Sequence, residues 1–168
     1  LDDVKVVFEI NRALYHKNLL LEKGFSFYQY FGCYGLVLTT YYNSNVLMMC
    51  SDLYREMGHI KESTHWAFEA QTKFNDAPIV VKRIIENNII MGNYSIAEKF
   101  LNILSSSMMH KDWVKEYRKY INNDKAVEAN PEFALMRKLK PKQDFFANTQ
   151  NPQADLYQLI QQNPNNKM

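Results

Sequence analysis

The chain has 168 residues, 46% of them hydrophobic and 23% charged, and it contains only five glycines and five prolines. This length is enough for one folded unit with a buried core, and the scarcity of helix breakers favours an all-α fold. The formal net charge of +2 is too small to indicate nucleic acid or an anionic membrane surface as a partner.

The first third of the chain carries two apolar segments of different character. In residues 4–23, apolar side chains recur at helical spacing up to Lys23 and Gly24, which predicts one helix. Residues 25–42 are dense in aromatic side chains, so a strand is an alternative there. We predict a helix, because the segments that follow have the pattern of helix hairpins. Its aromatic residues are expected in the core, and an interface with chain outside this fragment is the alternative for some of them.

The middle of the chain predicts four helices arranged as two hairpins. They span residues 45–57, 61–74, 78–91 and 95–104. Gly58 separates the first two, and we expect it at positive φ, which glycine adopts without a steric penalty. Residues 75–78 form the next turn, and Pro78 suits the first position of a helix.

The last third of the chain predicts three shorter helices. They span residues 111–121, residues 131–139, and a segment that begins at Asn151 and Pro152 and continues through Ile160. In the first of them we expect three aromatic side chains to face inward: Trp113, Tyr117 and Tyr120. Asn130 and Pro131 supply a capping side chain and a first-turn proline for the second. Residues 140–150 are expected to be irregular and held to the helices by Phe145 and Phe146.

Glycines recur at an interval of 34 residues, at Gly24, Gly58 and Gly92. Each follows one predicted helix and precedes another, which is typical of repeats built from antiparallel helix pairs. At this interval small or apolar residues coincide, for example Cys33, Ala67 and Leu101. Ala126 lies where the next glycine is due, so the repeat ends beyond Ser107. We therefore predict a right-handed stack of about three degenerate helix hairpins over residues 1–109, with irregular C-terminal helices over residues 110–168.

The third unit shows a glycine, an aromatic residue and an alanine in the order of a known repeat. Gly92, Tyr94 and Ala97 resemble the tetratricopeptide repeat, in which these residues lie between the helices and early in the second helix. Gln29 and Ser63 stand where that family has the alanine, so the repeats are degenerate.

This resemblance implies a groove lined by the first helix of each unit. The residues that it places along the groove are Leu14, Asn18, Met48, Asp52, Arg55, Lys82, Arg83 and Glu86. Chaperone-binding members of the tetratricopeptide family clamp a peptide's terminal carboxylate with polar and basic side chains. That partner is not expected here, because those positions hold Leu14, Met49 and Ile79.

Several longer segments resemble an uncharacterised protein family of Bacteroidetes bacteria. They are Leu19–Gly24, Tyr28–Gly32, Asn43–Asn45 and the hairpin turn around Gly58. The resemblance implies a membrane-embedded N-terminal part followed by a helical-repeat region. The chain is then expected to be a soluble part of a larger membrane-associated protein of the bacterial cell envelope, and its start at Leu1 agrees with a fragment. No catalytic residues follow from this resemblance.

No cluster of residues in the sequence predicts a reaction centre, a metal site or a cofactor. Glu62, His65 and Glu69 share one helix face and match half of a carboxylate-bridged di-metal site. The second half is missing, so a solvated helix face is favoured. Cys33 and Cys50 lie among apolar residues and are expected to be buried thiols outside any catalytic signature.

A basic cluster lies close to the predicted end of the helix that begins at Pro131. It consists of Arg137, Lys138, Lys140 and Lys142. We expect a solvated helix end, because Lys and Arg favour helix C-termini. Binding of anionic lipid or of nucleic acid is the alternative.

The repeat and the missing reaction centre together predict a non-enzymatic interaction scaffold. Its partner is expected to be a protein or peptide and not nucleic acid, with membranes involved only through parts of the chain outside this fragment. The alternative is an accessory repeat domain of an enzyme whose catalytic part lies outside this fragment.

Overall fold

The computed structural model describes residues 3–38, 46–143, 145 and 151–164. Within these residues the chain forms α-helices and short 3₁₀ turns, and no strand. The helices are α1 (Val4–His16), α2 (Leu20–Lys23), α3 (Leu47–Glu56), α4 (Ile60–Phe74), α5 (Pro78–Met91), α6 (Tyr94–Ser105), α7 (Lys111–Arg118), α8 (Asp124–Ala129), α9 (Pro131–Leu139) and α10 (Pro152–Gln162). The prediction of an all-α fold is confirmed.

Helices that follow one another along the chain pack side by side from α3 to α7. In α4, Ala67 and Ala70 are fully buried, and small side chains of this kind allow neighbouring backbones to approach closely. One apolar cluster joins α1, α3 and α4 to Leu159 of α10. A second joins α5 and α6 to the C-terminal helices, which contribute Val127 and Phe133. The last third of the chain therefore packs on the helices that precede it.

Glycines in the left-handed region separate the helices of the two central pairs. Gly58 and Gly92 both have φ of +80°, which confirms the positive φ predicted for Gly58. Each is followed directly by the residue that precedes the next helix, His59 before α4 and Asn93 before α6. Pro78 lies in the first turn of α5, as predicted.

An asparagine repeats this arrangement later in the chain, between α7 and α8. Asn122 has φ of +53°, and the side chain of Asn123 accepts a hydrogen bond from the backbone N–H of Ala126. Asparagine tolerates the left-handed region better than most residues because its short polar side chain bonds locally. α8 was not predicted, because Ala126 stands where the 34-residue interval places the next glycine.

The N-terminal part of the chain departs from the prediction, because the single helix expected over residues 4–23 is divided in two. α1 ends at His16, and Asn18 follows with φ of +55°. Gly24 has φ of −59° and follows only the short helix α2. Asn18, and not Gly24, is therefore the left-handed residue of the turn that follows α1.

Residues 25–38 do not form the predicted helix; the regular element there is the 3₁₀ turn Gly32–Gly35. Tertiary polar contacts explain this conformation. The Nε2 of Gln29 donates to Oδ1 of Asn11 at 2.9 Å, and the Nδ2 of Asn11 donates to the carbonyl of Gly35 at 2.9 Å. These bonds tie the loop to α1 and override its local preference. The rest of the predicted segment, residues 39–42, lies outside the described residues, as does Asn43–Asn45.

α9 begins with the predicted side-chain cap, whereas α10 begins at the predicted position without one. The Oδ1 of Asn130 accepts from the backbone N–H groups of Glu132 and Phe133, at 3.0 and 3.1 Å. Asn151 precedes α10 without a capping hydrogen bond from its side chain. Phe145 packs on the ring of His59, with the centroids 4.5 Å apart, as expected of an anchor for this segment. Phe146 lies outside the described residues.

Candidate functional site

A charged cleft of about 230 Å³ lies between α1, α3, α5 and α9. Its walls carry three arginines, three carboxylates and one methionine: Arg12, Asp52, Arg55, Glu56, Arg83, Glu132 and Met136. Three of these helices precede residue 109, and α9 adds a wall from the last third of the chain. We refer to this set of residues as the cleft.

Arg55 lies at the centre of the cleft and is buried. Its Nη1 donates to Oδ1 of Asn87 at 2.7 Å, and its Nη2 donates to Oε1 of Glu132 at 2.8 Å. A carboxylate oxygen of Glu86 lies 3.4 Å from the same Nη2. A buried guanidinium requires such partners, because an isolated charge is strongly disfavoured away from water.

A chain of buried hydrogen bonds holds Asn87 in place beneath Arg55. The Nδ2 of Asn87 donates to Oγ of Ser63 at 2.8 Å, and Oγ of Ser51 donates to the carbonyl of Ser63 at 2.7 Å. Ser51, Ser63 and Asn87 are fully buried. Ser63 thus has a specific polar role at the position where the tetratricopeptide pattern has alanine. The network links α3, α4 and α5 and fixes the orientation of the arginine.

Arg83 and Asp52 form a second charged pair in the cleft. The Nη2 of Arg83 lies 2.7 Å from Oδ1 of Asp52. The buried Nε and Nη1 of Arg83 have no acceptor among the described residues. Each unpaired buried N–H is unfavourable. Arg83 therefore retains donor capacity that the described part of the protein does not use.

Arg12 and Glu56 close the cleft on the side of α1. Arg12 donates from Nε and Nη2 to the carboxylate of Glu56, and the Nε2 of His16 lies 3.4 Å from the same carboxylate. The hydrogen bond with Glu56 raises the pKa of Arg12 above its ordinary value. The charges of this wall are thus mutually paired.

The structure brings together four of the residues predicted to line a groove. Asp52, Arg55 and Arg83 line the cleft, and Glu86 contacts Arg55. Three of the other four lie elsewhere: Met48 packs on the first apolar cluster, Lys82 places its ammonium 5.0 Å from the centre of the Trp113 ring, and Asn18 lies in the turn after α1. Leu14 is also absent from the cleft lining.

Four lining residues were not predicted: Arg12, Glu56, Glu132 and Met136. The sequence does contain a signal for Arg12. If Asn18 and Gly58 are taken as equivalent left-handed residues, Arg12 occupies the position equivalent to that of Asp52. The tetratricopeptide resemblance, with its 34-residue interval, placed Leu14 and Asn18 there instead. Glu132 and Met136 come from outside the predicted repeat, and no pattern in the sequence connects them to it.

The predicted basic cluster is divided, because Arg137 faces the interior. Its guanidinium donates to the carbonyls of Ile89 and Ile90 at the end of α5 and to the hydroxyl of Tyr94. It also pairs with Asp124, whose pKa is lowered by hydrogen bonds from Tyr94 and Arg137. Cations stabilise helix C-termini in this way. The three lysines of the cluster remain exposed: Lys138, Lys140 and Lys142.

The face of α4 that carries Glu62, His65 and Glu69 is only partly solvated, which corrects one expectation. Glu62 is buried, and its carboxylate lies 3.1 Å from Nδ1 of His65. Among the described residues no group of three or more His, Cys, Asp or Glu side chains is placed to hold a metal ion.

The two cysteines differ in exposure. Cys50 is buried as predicted, and burial raises the pKa of its thiol to about 12. Cys33 is exposed, contrary to prediction, because residues 25–38 form a loop and not a helix. The three aromatic residues expected to face inward over residues 111–121 are only partly as predicted. Tyr120, which follows the end of α7, is buried, whereas Trp113 and Tyr117 stack on each other and stay half-buried.

In the described part of the chain, no helix has the length and apolar character needed to cross a membrane. Comparison with curated proteins and with solved structures found no match to the chain. A comparison with family models found one match, to DUF6057, a family of unknown function, over residues 2–168. The match covers nearly the whole chain, and the protein therefore belongs to this family.

Proposed function

We propose that the protein is a non-enzymatic interaction scaffold that receives a polar segment of a partner protein in the cleft. The observation that carries this proposal is Arg55, a buried guanidinium held from behind by Asn87 and Ser63 and reached from the cleft by Glu132. A charge fixed in this way is pre-organised to bind carboxylates or amide oxygens, since little reorientation is needed. Arg83 adds buried donors without acceptors beside it.

The proposal includes a tetratricopeptide-like arrangement of degenerate repeats. It is supported by the side-by-side packing from α3 to α7 and by the turns at Gly58, Gly92 and Asn122. In such an arrangement the first helix of each unit lines one common surface. The proposal further places the chain in a larger membrane-associated protein of a bacterial cell envelope, as the Bacteroidetes resemblance implies.

Site-specific photo-crosslinking tests this function. A photoreactive phenylalanine analogue replaces Glu132, whose side chain is 60% exposed at the rim of the cleft, in the intact protein in its native cells. The matched control carries the analogue in place of Lys99, an exposed residue of α6. We expect one discrete protein adduct from position 132 and none from position 99.

Two results contradict the proposal. One is an equal set of adducts from both positions, which indicates random collisions. The other is enzymatic turnover by the purified intact protein that is lost when Arg55 is replaced, because the cleft would then take part in catalysis.

A further inference from the structure

A cavity separate from the cleft lies between α1, α2 and the loop that follows α2. Its volume is about 360 Å³, and apolar side chains form most of its wall: Leu20, Leu21, Phe25 and Leu36. We refer to it as the loop cavity. Its described wall residues differ from those of the cleft. Its volume lies within the range of about 300–1,000 Å³ that is typical of small-molecule sites.

Two amide side chains in the wall of the loop cavity are occupied by each other and by the backbone. The Nδ2 of Asn11 donates to Oε1 of Gln29 at 3.0 Å and to the carbonyl of Gly35 at 2.9 Å. The Nε2 of Gln29 donates to Oδ1 of Asn11 at 2.9 Å and to the carbonyl of Gly24 at 2.6 Å. All the amide hydrogens of these two side chains are thus used. A polar ligand would lose hydrogen bonds to water here without replacing them, so the wall favours an apolar ligand.

Two large apolar side chains lie at the mouth of the loop cavity. Leu21 is 94% exposed and Phe25 is 89% exposed, although both belong to the wall. Contact with an apolar ligand removes part of this hydrocarbon surface from water, which is favourable. Water itself finds few hydrogen-bonding partners in an apolar cavity, and such cavities bind hydrocarbons instead. The mouth and the wall therefore favour the same class of ligand.

The loop cavity adjoins a smaller and mostly apolar cavity between α1 and α3. This second cavity has a volume of about 180 Å³, and Asn11, Leu20 and Leu36 belong to the walls of both. Its wall also includes the buried Phe8 and Val37. Two small adjoining volumes fit an elongated molecule better than a compact one.

We propose that the loop cavity binds the hydrocarbon chain of a single amphiphilic molecule, such as a fatty acid. Leu36 contacts the chain inside the cavity, and Leu21 and Phe25 cover it at the mouth. The polar end of the molecule stays outside in water, because Asn11 and Gln29 have no spare N–H to bind it. This site is independent of partner binding in the cleft.

Fluorescence titration of the full chain with cis-parinaric acid tests the proposal, because the emission of this polyene fatty acid rises in apolar surroundings. Leu36→Asp and Phe25→Asp each place a carboxylate in the wall. Leu135→Asp and Met109→Asp are the matched controls, since Leu135 is as exposed as Leu36 and Met109 is as exposed as Phe25. We expect the controls to bind like the unaltered chain and both wall variants to bind about tenfold more weakly or less.

The absence of saturable binding to the unaltered chain overturns the proposal. Equal affinities of Phe25→Asp and Met109→Asp also overturn it, and because both replaced side chains are exposed, both variants are expected to fold. Dodecanoate is expected to displace the bound parinaric acid, whereas acetate is not. Displacement by acetate contradicts the proposal, because the carboxylate and not the chain would then be recognised.

Vesicles distinguish a single amphiphile from a membrane surface. The full chain is sedimented with vesicles of phosphatidylcholine and phosphatidylglycerol. Saturable binding of parinaric acid by a chain that stays in the supernatant supports the proposal. Sedimentation with the vesicles without saturable binding of parinaric acid overturns it, because the exposed apolar side chains would then contact a bilayer and the cavity would stay empty.

Discussion

Arg55 connects a buried polar network to the open cleft. Behind it lie Asn87 and two serines, and in front of it lies the carboxylate of Glu132. Removing one member of such a network leaves the others buried without partners, which is more costly than the loss of one exposed ion pair.

Replacing Arg55 with methionine is therefore expected to lower the free energy of unfolding by about 3 kcal/mol. Urea denaturation followed by circular dichroism measures this change. The matched control is Arg118→Met on α7, where the arginine bonds Asn102 at the surface, and its cost is expected to stay below about 0.5 kcal/mol. Equal costs for the two variants contradict the structural role of Arg55.

Gly58 and Gly92 offer a matched pair at the same φ of +80°. A Cβ on Gly58 would lie 2.6 Å from Cβ of Leu139, whereas a Cβ on Gly92 meets nothing within 4 Å. Gly92→Ala is expected to cost about 1 kcal/mol for the backbone conformation alone. Gly58→Ala is expected to cost about 2 kcal/mol more, because α9 must shift. Thermal unfolding of both variants checks the difference, and equal melting temperatures refute the close approach of α9.

Tyr117 is expected to make the free energy of unfolding fall at alkaline pH. Burial and the neighbouring carboxylate of Glu86 raise the pKa of Tyr117 above its ordinary value of 10.0. The unfolded chain therefore loses this proton at a lower pH than the folded chain, and stability falls as the pH rises above about 10.

Replacing Tyr117 with phenylalanine is expected to make this decline shallower, by less than about 1.4 kcal/mol per pH unit, because the side chain is only half-buried and solvent weakens the effect. Urea titrations between pH 9 and pH 11 measure the slope. The control is the unaltered chain, titrated under the same conditions. An unchanged slope in the Tyr117 variant means that this side chain ionises equally in both states.

At the scale of the elements, the turns decide where helices begin and end. α3 to α6 could be predicted from the sequence because Gly58, Gly92 and Pro78 mark their ends by backbone preference alone. The first unit could not, because Asn18 takes the left-handed position and because Asn11 and Gln29 hold residues 25–38 in a loop. Those hydrogen bonds join residues that are distant along the chain, so local helix propensity does not predict them.

Asn122 tests whether α7 and α8 are joined by the same kind of turn as the earlier pairs. Its φ of +53° is accessible to asparagine and glycine and strained for a β-branched residue. We expect Asn122→Gly to change the free energy of unfolding by less than about 0.5 kcal/mol and Asn122→Val to lower it by about 1–2 kcal/mol. Chemical denaturation of the two variants measures these changes. An Asn122→Val variant as stable as the unaltered protein would contradict the left-handed turn.

α10 buries few residues, as the short helices α2, α7 and α8 do, whereas the central helices bury many. One fully buried leucine contributes about 2 kcal/mol, which is small beside the entropy of ordering a helix of this length. The central helices bury several isoleucines, as α5 does with Ile84, Ile85 and Ile89.

At the scale of the whole molecule, the cleft exists only because distant segments meet. Asp52, Arg55 and Arg83 could be placed together because the tetratricopeptide resemblance assigns α3 and α5 to one groove. Glu132 and Met136 reach the same place from α9, which lies beyond the predicted repeat. Side chains that meet across 77 positions of sequence, as Arg55 and Glu132 do, are brought together by the packing of α9 on α5.

Binding of a partner in the cleft is tested most directly by measuring the affinity of the intact protein for the partner segment that crosslinking identifies. Arg83→Met is the decisive variant, because Arg83 has donors without acceptors in the described structure and takes no part in the Arg55 network. The matched control is Lys99→Met on the outer helix α6. Titration calorimetry is expected to show at least a tenfold weaker affinity for Arg83→Met and an unchanged affinity for the control. An affinity for Arg83→Met within twofold of the unaltered protein, with the fold intact, would contradict a binding role for the cleft.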